Sequence, residues 1–503
     1  MIEQSVIVIG GGIAGLTAGA LLAHEGYKVT LLESHIQPGG CAGTFTRGPY
    51  VFDVGATQVA GFEKGGIHER IFRHLKCPLP VAEILDPACI VDLRDGNEPI
   101  SLWHDPYKWK EECKKHFPGS DRFWSLCRQL HRSNWAFTGA EPILPVRNLW
   151  DFKQFISASR SINVLTGLFS LSSIEDLLWV CSCNQDQRLR NFLDCQLKLY
   201  SQKPSNQTSA LYGATVLQMA QAPLGLWHLQ GSMQKLSDSL LACLRRDGGN
   251  VYLGHKVVGL QKDYQRNCWN IDVIKSKNVS LQFQTSDVIF TLPPQSLLTL
   301  ISNWSNLPTN YRHTLETLPK PSGAIVFFGA INRSNLPDNF SGHIQLVVDQ
   351  IGSLFLSVSH DGDGRAPFGQ ATVIASAFTD VLSWNSFNEV QYRQSKHLAL
   401  KKIVETLNIE FSIDSQSWLH KELATPRSFA KWTGRPQGIV GGLGQTPTTF
   451  GPFGLSSRTP LEGLWLCGDS IYPGEGTAGV SQSAVMACRQ LAFDHGRLFT
   501  LIK

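Results

Sequence analysis

Ser5 to Ile9 (SVIVI) is a short, uniformly apolar and mostly β-branched run, the pattern of a strand buried on both faces. Three glycines follow, and Ile13 to Glu25 then places Leu16, Ala20 and Ala23 on one face of a helix. Tyr27 to Glu33 (YKVTLLE) is a second strand and completes a β-α-β unit. A glycine-rich loop, QPGGCAGTFTRG, leads into VFDVGA. From about Cys113 to Gln230 glycine becomes sparse, and Trp124, Trp135, Trp150 and Trp179 stand among helical stretches. Met233 to Arg246 predicts another helix, followed by Gly248-Gly249 and a strand at Val251 to Leu253. The segments NCWNIDVI and SLQFQT read as a hairpin, and Val288 to Phe290 as a buried strand ending at Pro293-Pro294. Residues 320–415 alternate in strand fashion (AIVFFGAI, LFLSVS, TVIASA). The last ninety residues are rich in glycine again and end in a strand, a loop and a helix from about Val480 to Leu491.

Glycine fingerprints thus occur at both ends, with a chemically different middle. This predicts an α/β chain in which a cofactor domain is assembled from residues 1–105, 228–300 and 416–503. A helical substrate and membrane-docking region (106–227) and a substrate-domain sheet (301–415) interrupt it. At 503 residues, with 42% hydrophobic and 17% charged positions, the chain is globular and long enough for two domains. A net charge of +4 and no dense Lys/Arg block exclude a nucleic-acid binder. Twelve cysteines are scattered. Cys181 and Cys183 lack a second pair at metal-site spacing, so no metal is expected. The cysteines read as buried, reduced thiols of a cytosolic compartment. A first strand at Ser5 leaves no room for a signal or transit peptide, and no apolar run reaches the length of a spanning helix.

Gly10-x-Gly12-x-x-Gly15 follows a strand, opens a helix and is answered by Glu33 at the end of the next strand. Gly10 serves the tight turn, Gly12 the approach of a pyrophosphate, and Gly15 the packing of helix on strand. The phosphates would meet free N–H groups of the turn Gly12-Ile13-Ala14 and the positive end of the helix. Glu33 suits a ribose with a free 2′-hydroxyl, which favours FAD or NAD over NADP. The pair Gly39-Gly40, with Gly43 beyond, lets backbone pass close to a cofactor. Arg47 either approaches the phosphates or isoalloxazine or is solvent-exposed. Asp53 ends the next strand. In the tail, GLWLCGD places Gly468 and Asp469 at a strand end, with the carboxylate beside a sugar-like chain, the place where flavoproteins typically meet the ribityl hydroxyls of FAD. Gly476, Gly479 and Val480 then open a helix whose positive end supports charge on a reduced flavin. Val257 lies on a strand whose backbone would meet the adenine. Glu475 is either a base near the flavin or the partner of a basic group.

GGGIAGL, PGGCAGTF, FDVGAT, QGSMQKLSDSLLACLRRDGG and the tail from TPRSFAKWTG to GEGTAGVSQSA together resemble the phytoene desaturase and carotene isomerase branch of the flavoproteins. These have the two-dinucleotide-binding, amine-oxidase-like fold. The resemblance spans nearly the whole chain and is closest to cyanobacterial-type carotenoid 3′,4′-desaturases. The chain departs from that pattern at Cys41, where many members carry arginine, and at Glu475, within their PGGG. The resemblance implies FAD, a polyene substrate taken from a membrane, and hydride transfer to flavin N5 with a quinone or oxygen as final acceptor. It equally fits a cis–trans isomerase using reduced FAD. A non-catalytic lipid binder would not need intact Gly12, Gly15, Glu33 and Asp469, and an amine oxidase would need an aromatic cage that the tail does not contain. With such a substrate, INVLTGLFSLSSIEDLLWVC (162–181) is either a core helix or a docking surface carrying Leu165 and Phe169, on the cytoplasmic face of a membrane.

Overall fold

The structure, a computed structural model, describes residues 4–159, 165–275, 279–301, 307–319 and 321–502. Five parallel strands form one sheet in the order Leu464–Leu466, Asp287–Phe290, Ser5–Ile9, Lys28–Leu32 and Asn250–Tyr252, so both ends of the chain meet in it. Ser5–Ile9 is paired on both sides and covered on both faces, which explains its unbroken apolar run. Alternation sorts its side chains: Val6 and Val8 pack on the helices Ile13–His24, Gln234–Arg246 and Thr477–Asp494. Ile7 and Ile9 face the other core, which includes Leu260, Trp269 and Ile271 of the antiparallel sheet His255–Asp263, Cys268–Lys275, Val279–Thr285.

A second, seven-stranded sheet runs in the order Trp418–Ala424, Gly323–Asn332, Gln370–Thr379, Gly352–Val358, Gly342–Val348, Ile90–Asp92, Ile100–Ser101. On one face Phe327, Leu354, Leu356, Val373 and Ala375 form a core with Ile403 and Leu407 of the helix Glu389–Glu410. The other face, with Ala324, Val326 and Phe328, is turned toward the first domain. The α/β class with an interleaved second unit, expected from the sequence, is the architecture observed.

Several expectations need correction. Ile90–Asp92 and Ile100–Ser101 lie in the stretch assigned to the cofactor domain, and so does Trp418–Ala424, yet all three strands belong to the second sheet. Residues 320–415 are not all strand, because Glu389–Glu410 is a long helix. Its start is fixed by a capping box in which Asn388 and Gln391 exchange hydrogen bonds. The helical pattern read across 162–181 is interrupted: Ser173 begins a new helix, Ile174–Val180, through its own capping box with Asp176. Ile162 lies outside the described residues. Cys77 and Cys243 form a disulfide, whereas the sequence reading had every thiol reduced.

The two domains are joined by a buried charge network. Asp53 ends the strand Tyr50–Asp53, and its carboxylate accepts from Met233 N at 2.9 Å and from Arg365 Nε at 3.0 Å. Arg365 also donates to Asp363 Oδ2 at 2.8 Å and to the Leu229 carbonyl at 3.0 Å. His228 stands 2.9 Å from the same Asp363 carboxylate and stacks on His360 at 4.3 Å.

Candidate functional site

The three glycine-rich segments converge on one cavity of about 920 Å³. At its first edge, a Cβ on Gly12 would meet nothing within 4 Å, whereas a Cβ on Gly15 would stand 2.0 Å from the Gly10 carbonyl. Gly12 therefore faces open space, and Gly15 lets the helix lie against the turn. Gly12 is also the N-cap of Ile13–His24 and makes no side-chain cap, so the helix presents unsatisfied N–H groups to the cavity. Glu33 accepts from Gly11 N at 2.6 Å and His35 N at 2.7 Å, which locks the acid beside the turn. Gly39 donates to the Gly11 carbonyl at 2.8 Å, and a Cβ on Gly40 would lie 3.3 Å from Gly12 Cα, so the two glycine loops stand back to back.

From the far end of the chain, Gly468 takes φ +126° and turns Asp469 into the cavity, where its carboxylate pairs with Arg435 at 2.9 Å. The helix Thr477–Asp494 starts after Gly476 without a side-chain cap and gives a second positive helix end. Gly479 and Val480 line the cavity on its first turns. Glu475 lines it too, its Oε2 accepting from Gln202 Nε2 at 2.9 Å and Gly442 N at 3.2 Å. Burial pushes its carboxyl up to about 8 against the opposing pull of the Gln202 donor, with the nearby Asp469 charge adding to the rise. Beyond these groups the walls become apolar and aromatic: Val326 and Phe328 of the second sheet, Phe355, Tyr212, Met219 and Phe450.

Gly10, Gly12, Ile13, Ala14, Glu33, Gly39, Gly40, Gly468, Asp469, Glu475, Gly476, Gly479 and Val480 all line this space. Three expected positions stand differently, the first being Gly15, which packs against the Gly10 carbonyl and does not line the cavity. Arg47 lines the wall with its side chain 46% exposed, in keeping with the exposed alternative, and its guanidinium is engaged at 3.1 Å by Glu422 of the second sheet and stacks over Phe45. Val257 does not line the cavity. Its side chain is in the core, on a strand paired with Val273, which leaves only its backbone for the expected adenine contact. Conversely, Arg435 and Gln202 were invisible as site residues, because a lone Arg or Gln carries no motif until folding brings it to an acid 34 or 273 positions away.

Outside the cavity, Leu149, Phe152 and Ile156 are exposed on the helix Leu149–Ala158, and Leu165, Leu168 and Leu171 on the next segment. Phe155 stacks edge-on against Phe137, and Thr166 hydrogen-bonds Ser133 at 2.6 Å, so both segments rest on the helix Asp121–Gly139. That helix sends Asn134, Trp135 and Thr138 to the cavity wall. Phe169, expected beside Leu165 on an outer surface, is instead half-buried against the helical core.

Residues 8–75 match the NAD(P)-binding Rossmann-like domain family. The chloroplastic prolycopene isomerase of Daucus carota is 25% identical over 98% of this chain and 81% of its own. The 4,4′-diapophytoene desaturase (4,4′-diapolycopene-forming) of a Methylomonas species is 23% identical over 51% of this chain and 48% of its own. Among solved structures, cyclohexylamine oxidase from Brevibacterium oxydans superposes with a TM-score of 0.61 at 16% identity, over 97% of this chain and 99% of that one, a likeness of fold. The open cradle at Gly12, the two uncapped helix ends and Glu33 fit a flavin or other dinucleotide cofactor.

Proposed function

We propose that this chain, similar to prolycopene isomerases and to a diapophytoene desaturase, is an FAD-dependent carotenoid desaturase that introduces a double bond into an acyclic polyene end, 3′,4′-desaturase-like. The observation that carries the reading is the single cavity in which the glycine cradles open directly onto apolar and aromatic walls. Bound FAD supplies the two-electron acceptor for the hydride equivalent lost by the polyene, and a quinone or oxygen takes the electrons onward. The chain's own part is to bind, orient and desolvate. Val326, Phe328, Phe355 and Met219 offer the polyene an apolar lining and keep water from the reacting carbons. Removing two hydrogens from adjacent carbons leaves one proton to be taken up, and we assign its uptake to the carboxylate of Glu475, which lines the cavity. The test of the reaction class is anaerobic incubation of the oxidised enzyme with an acyclic carotene. Stoichiometric flavin bleaching with a product two hydrogens poorer supports the desaturase, and geometric isomers without net oxidation replace it by the isomerase.

The isomerase is the second reading, favoured by the end-to-end similarity to the carrot enzyme. The pH dependence separates the two proton roles of Glu475. Its carboxylate forms only as pH rises through about 8, so a base there predicts desaturation that rises across pH 7–9. A Glu475 acting as an acid predicts turnover that falls across the same window. In either case Glu475→Gln is expected to abolish that limb of the kcat/KM profile while retaining flavin. A limb that survives in E475Q removes Glu475 from the proton path.

A long polyene is insoluble in water and must be collected from a lipid phase. We place the collecting surface at the exposed Leu149, Phe152, Ile156, Leu165 and Leu168, which flank the helix that reaches the cavity wall at Trp135. No helix among the described residues is long and apolar enough to cross a membrane, and the association we propose is with the membrane surface. Leu165 is 69% and Leu168 62% exposed. Leu165→Glu with Leu168→Glu is therefore expected to cut liposome co-sedimentation and carotene turnover together, leaving the flavin spectrum and melting temperature unchanged. Liposome binding equal to wild type would move the docking surface elsewhere.

A further inference from the structure

The segment from Trp432 to Gly441 follows the cofactor groove from end to end. At one end the Trp432 ring meets His35 edge-on at 6.1 Å, and a Cβ on Gly434 would lie 3.7 Å from Ser34 Oγ, next to Glu33. At the other end a Cβ on Gly441 would collide with Gln202 and Glu475. Between them Arg435, its side chain only 13% exposed, lines the cavity and is held by its own loop. Its Nε donates to the Ile439 carbonyl at 3.0 Å and a terminal nitrogen to the Gly441 carbonyl. The guanidinium pairs with Asp469 at 2.9 Å and also acts on the Cys41 thiol as a neighbouring charge and hydrogen-bond partner. Cys41 directly follows Gly40, which stands against Gly12. Arg435 is thus interposed between the N-terminus of the first helix and the acid at the end of the last parallel strand.

That position has an electrostatic consequence. Glu33, Asp469 and Glu475 bring acidic groups into the cavity, and a dinucleotide adds two phosphate charges. Arg47, Arg70, Lys198 and Lys396 also line it, Arg47 paired with Glu422 and Arg70 with the buried Glu141, and the cation that stands at Asp469 is Arg435. Helix ends contribute only partial charges. With the Arg435 and Asp469 side chains only 13% and 18% exposed, a pyrophosphate lying near Asp469 would meet like-charge repulsion unless a cation stood between them. We infer that Arg435 is a cofactor-binding residue, the counter-charge for the pyrophosphate-to-ribityl stretch of FAD. This rests on the FAD reading above. Asp469 then has two tasks, to hold this guanidinium and to meet the ribityl chain.

Fluorescence titration of the flavin-stripped enzyme with FAD tests the inference through a double-mutant cycle. Arg435→Met is expected to raise the FAD Kd about tenfold to a hundredfold, the weight of a charge-assisted hydrogen bond, and to flatten its dependence on salt. The same loss is expected when R435M is added to D469N, because Arg435 then acts on the ligand and not through Asp469. The double variant also covers the case in which R435M alone fails to fold by stranding a buried carboxylate. If D469N and D469N/R435M bind FAD with one Kd and one salt dependence, Arg435 is merely Asp469's structural partner and the inference is overturned. A wild-type protein that takes up no FAD would overturn the FAD reading itself, a different result from wild type and variants binding alike.

Discussion

A Gly12→Val variant is expected to purify folded and colourless. Gly12 has φ −73° and ψ 177°, extended backbone that valine adopts freely, and a Cβ there would meet no protein atom within 4 Å. The substitution therefore costs the fold little. Its side chain enters the space against the helix N-terminus, where backbone N–H groups would hold a pyrophosphate, so flavin content should fall from about one per chain to near zero. Absorbance at the flavin maximum relative to protein, with a melting curve beside that of flavin-free wild type, checks both halves. Gly15→Val is the control with the opposite signature. Its Cβ would stand 2.0 Å from the Gly10 carbonyl, forcing helix and turn apart, so that variant should be lost as soluble protein. A yellow, stable G12V would mean that the phosphates lie elsewhere in the cavity.

Arg365→Ala should be the most damaging single change away from the cofactor. The side chains of Arg365, Asp53 and Asp363 are 3%, 1% and 6% exposed. Removing the guanidinium takes the cation from two buried carboxylates, leaving Asp53 with Met233 N and Asp363 with His228, a loss of about 3–5 kcal/mol by comparison with other broken buried ion pairs. The damage also reaches the cavity. Asp53 is followed directly by Val54, Gly55, Ala56 and Thr57, all of which line it, and Asp53 is tied through Met233 to the start of the helix Gln234–Arg246. Urea unfolding should show a lowered midpoint, and retained flavin should fall with it. Arg365→Lys keeps the charge but not the fork that serves Asp53, Asp363 and the Leu229 carbonyl together, and should lie between. An R365A protein as stable as wild type would show that Asp53 is neutral in the fold and needs no partner.

The two variants divide along the same line as the sequence reading. The surroundings of Gly12 were legible because they are local. Strand, turn and helix are successive in the chain, an unbroken apolar run is followed by three glycines and a helical stretch, and Glu33 answers 21 residues later. The tail motif around Gly468, Asp469 and Gly476 was legible for the same reason. The helix Glu389–Glu410 was missed although its capping pair, Asn388 and Gln391, stood in the sequence, because alternation in the flanking strands dominated the pattern. The break before Ile174 likewise had its signal in Ser173 and Asp176.

Other features had no local signal. Ile90–Asp92 joins the second sheet because residues 344–346, about 250 positions away, offer it an edge. Strand partners are chosen by which edges remain open once the domains have packed. Arg47 serves Glu422, Arg365 serves Asp53, and Gln202 holds Glu475, each across hundreds of residues. A charged or amide side chain is indifferent to its neighbours in sequence and commits only where burial makes an unpaired group costly. The sequence by itself determined the dinucleotide cradle, since its geometry is written in consecutive residues. Tertiary structure alone decided which cation stands beside Asp469 and which donor holds Glu475, because those choices follow from desolvation, and nothing is desolvated until the chain has folded.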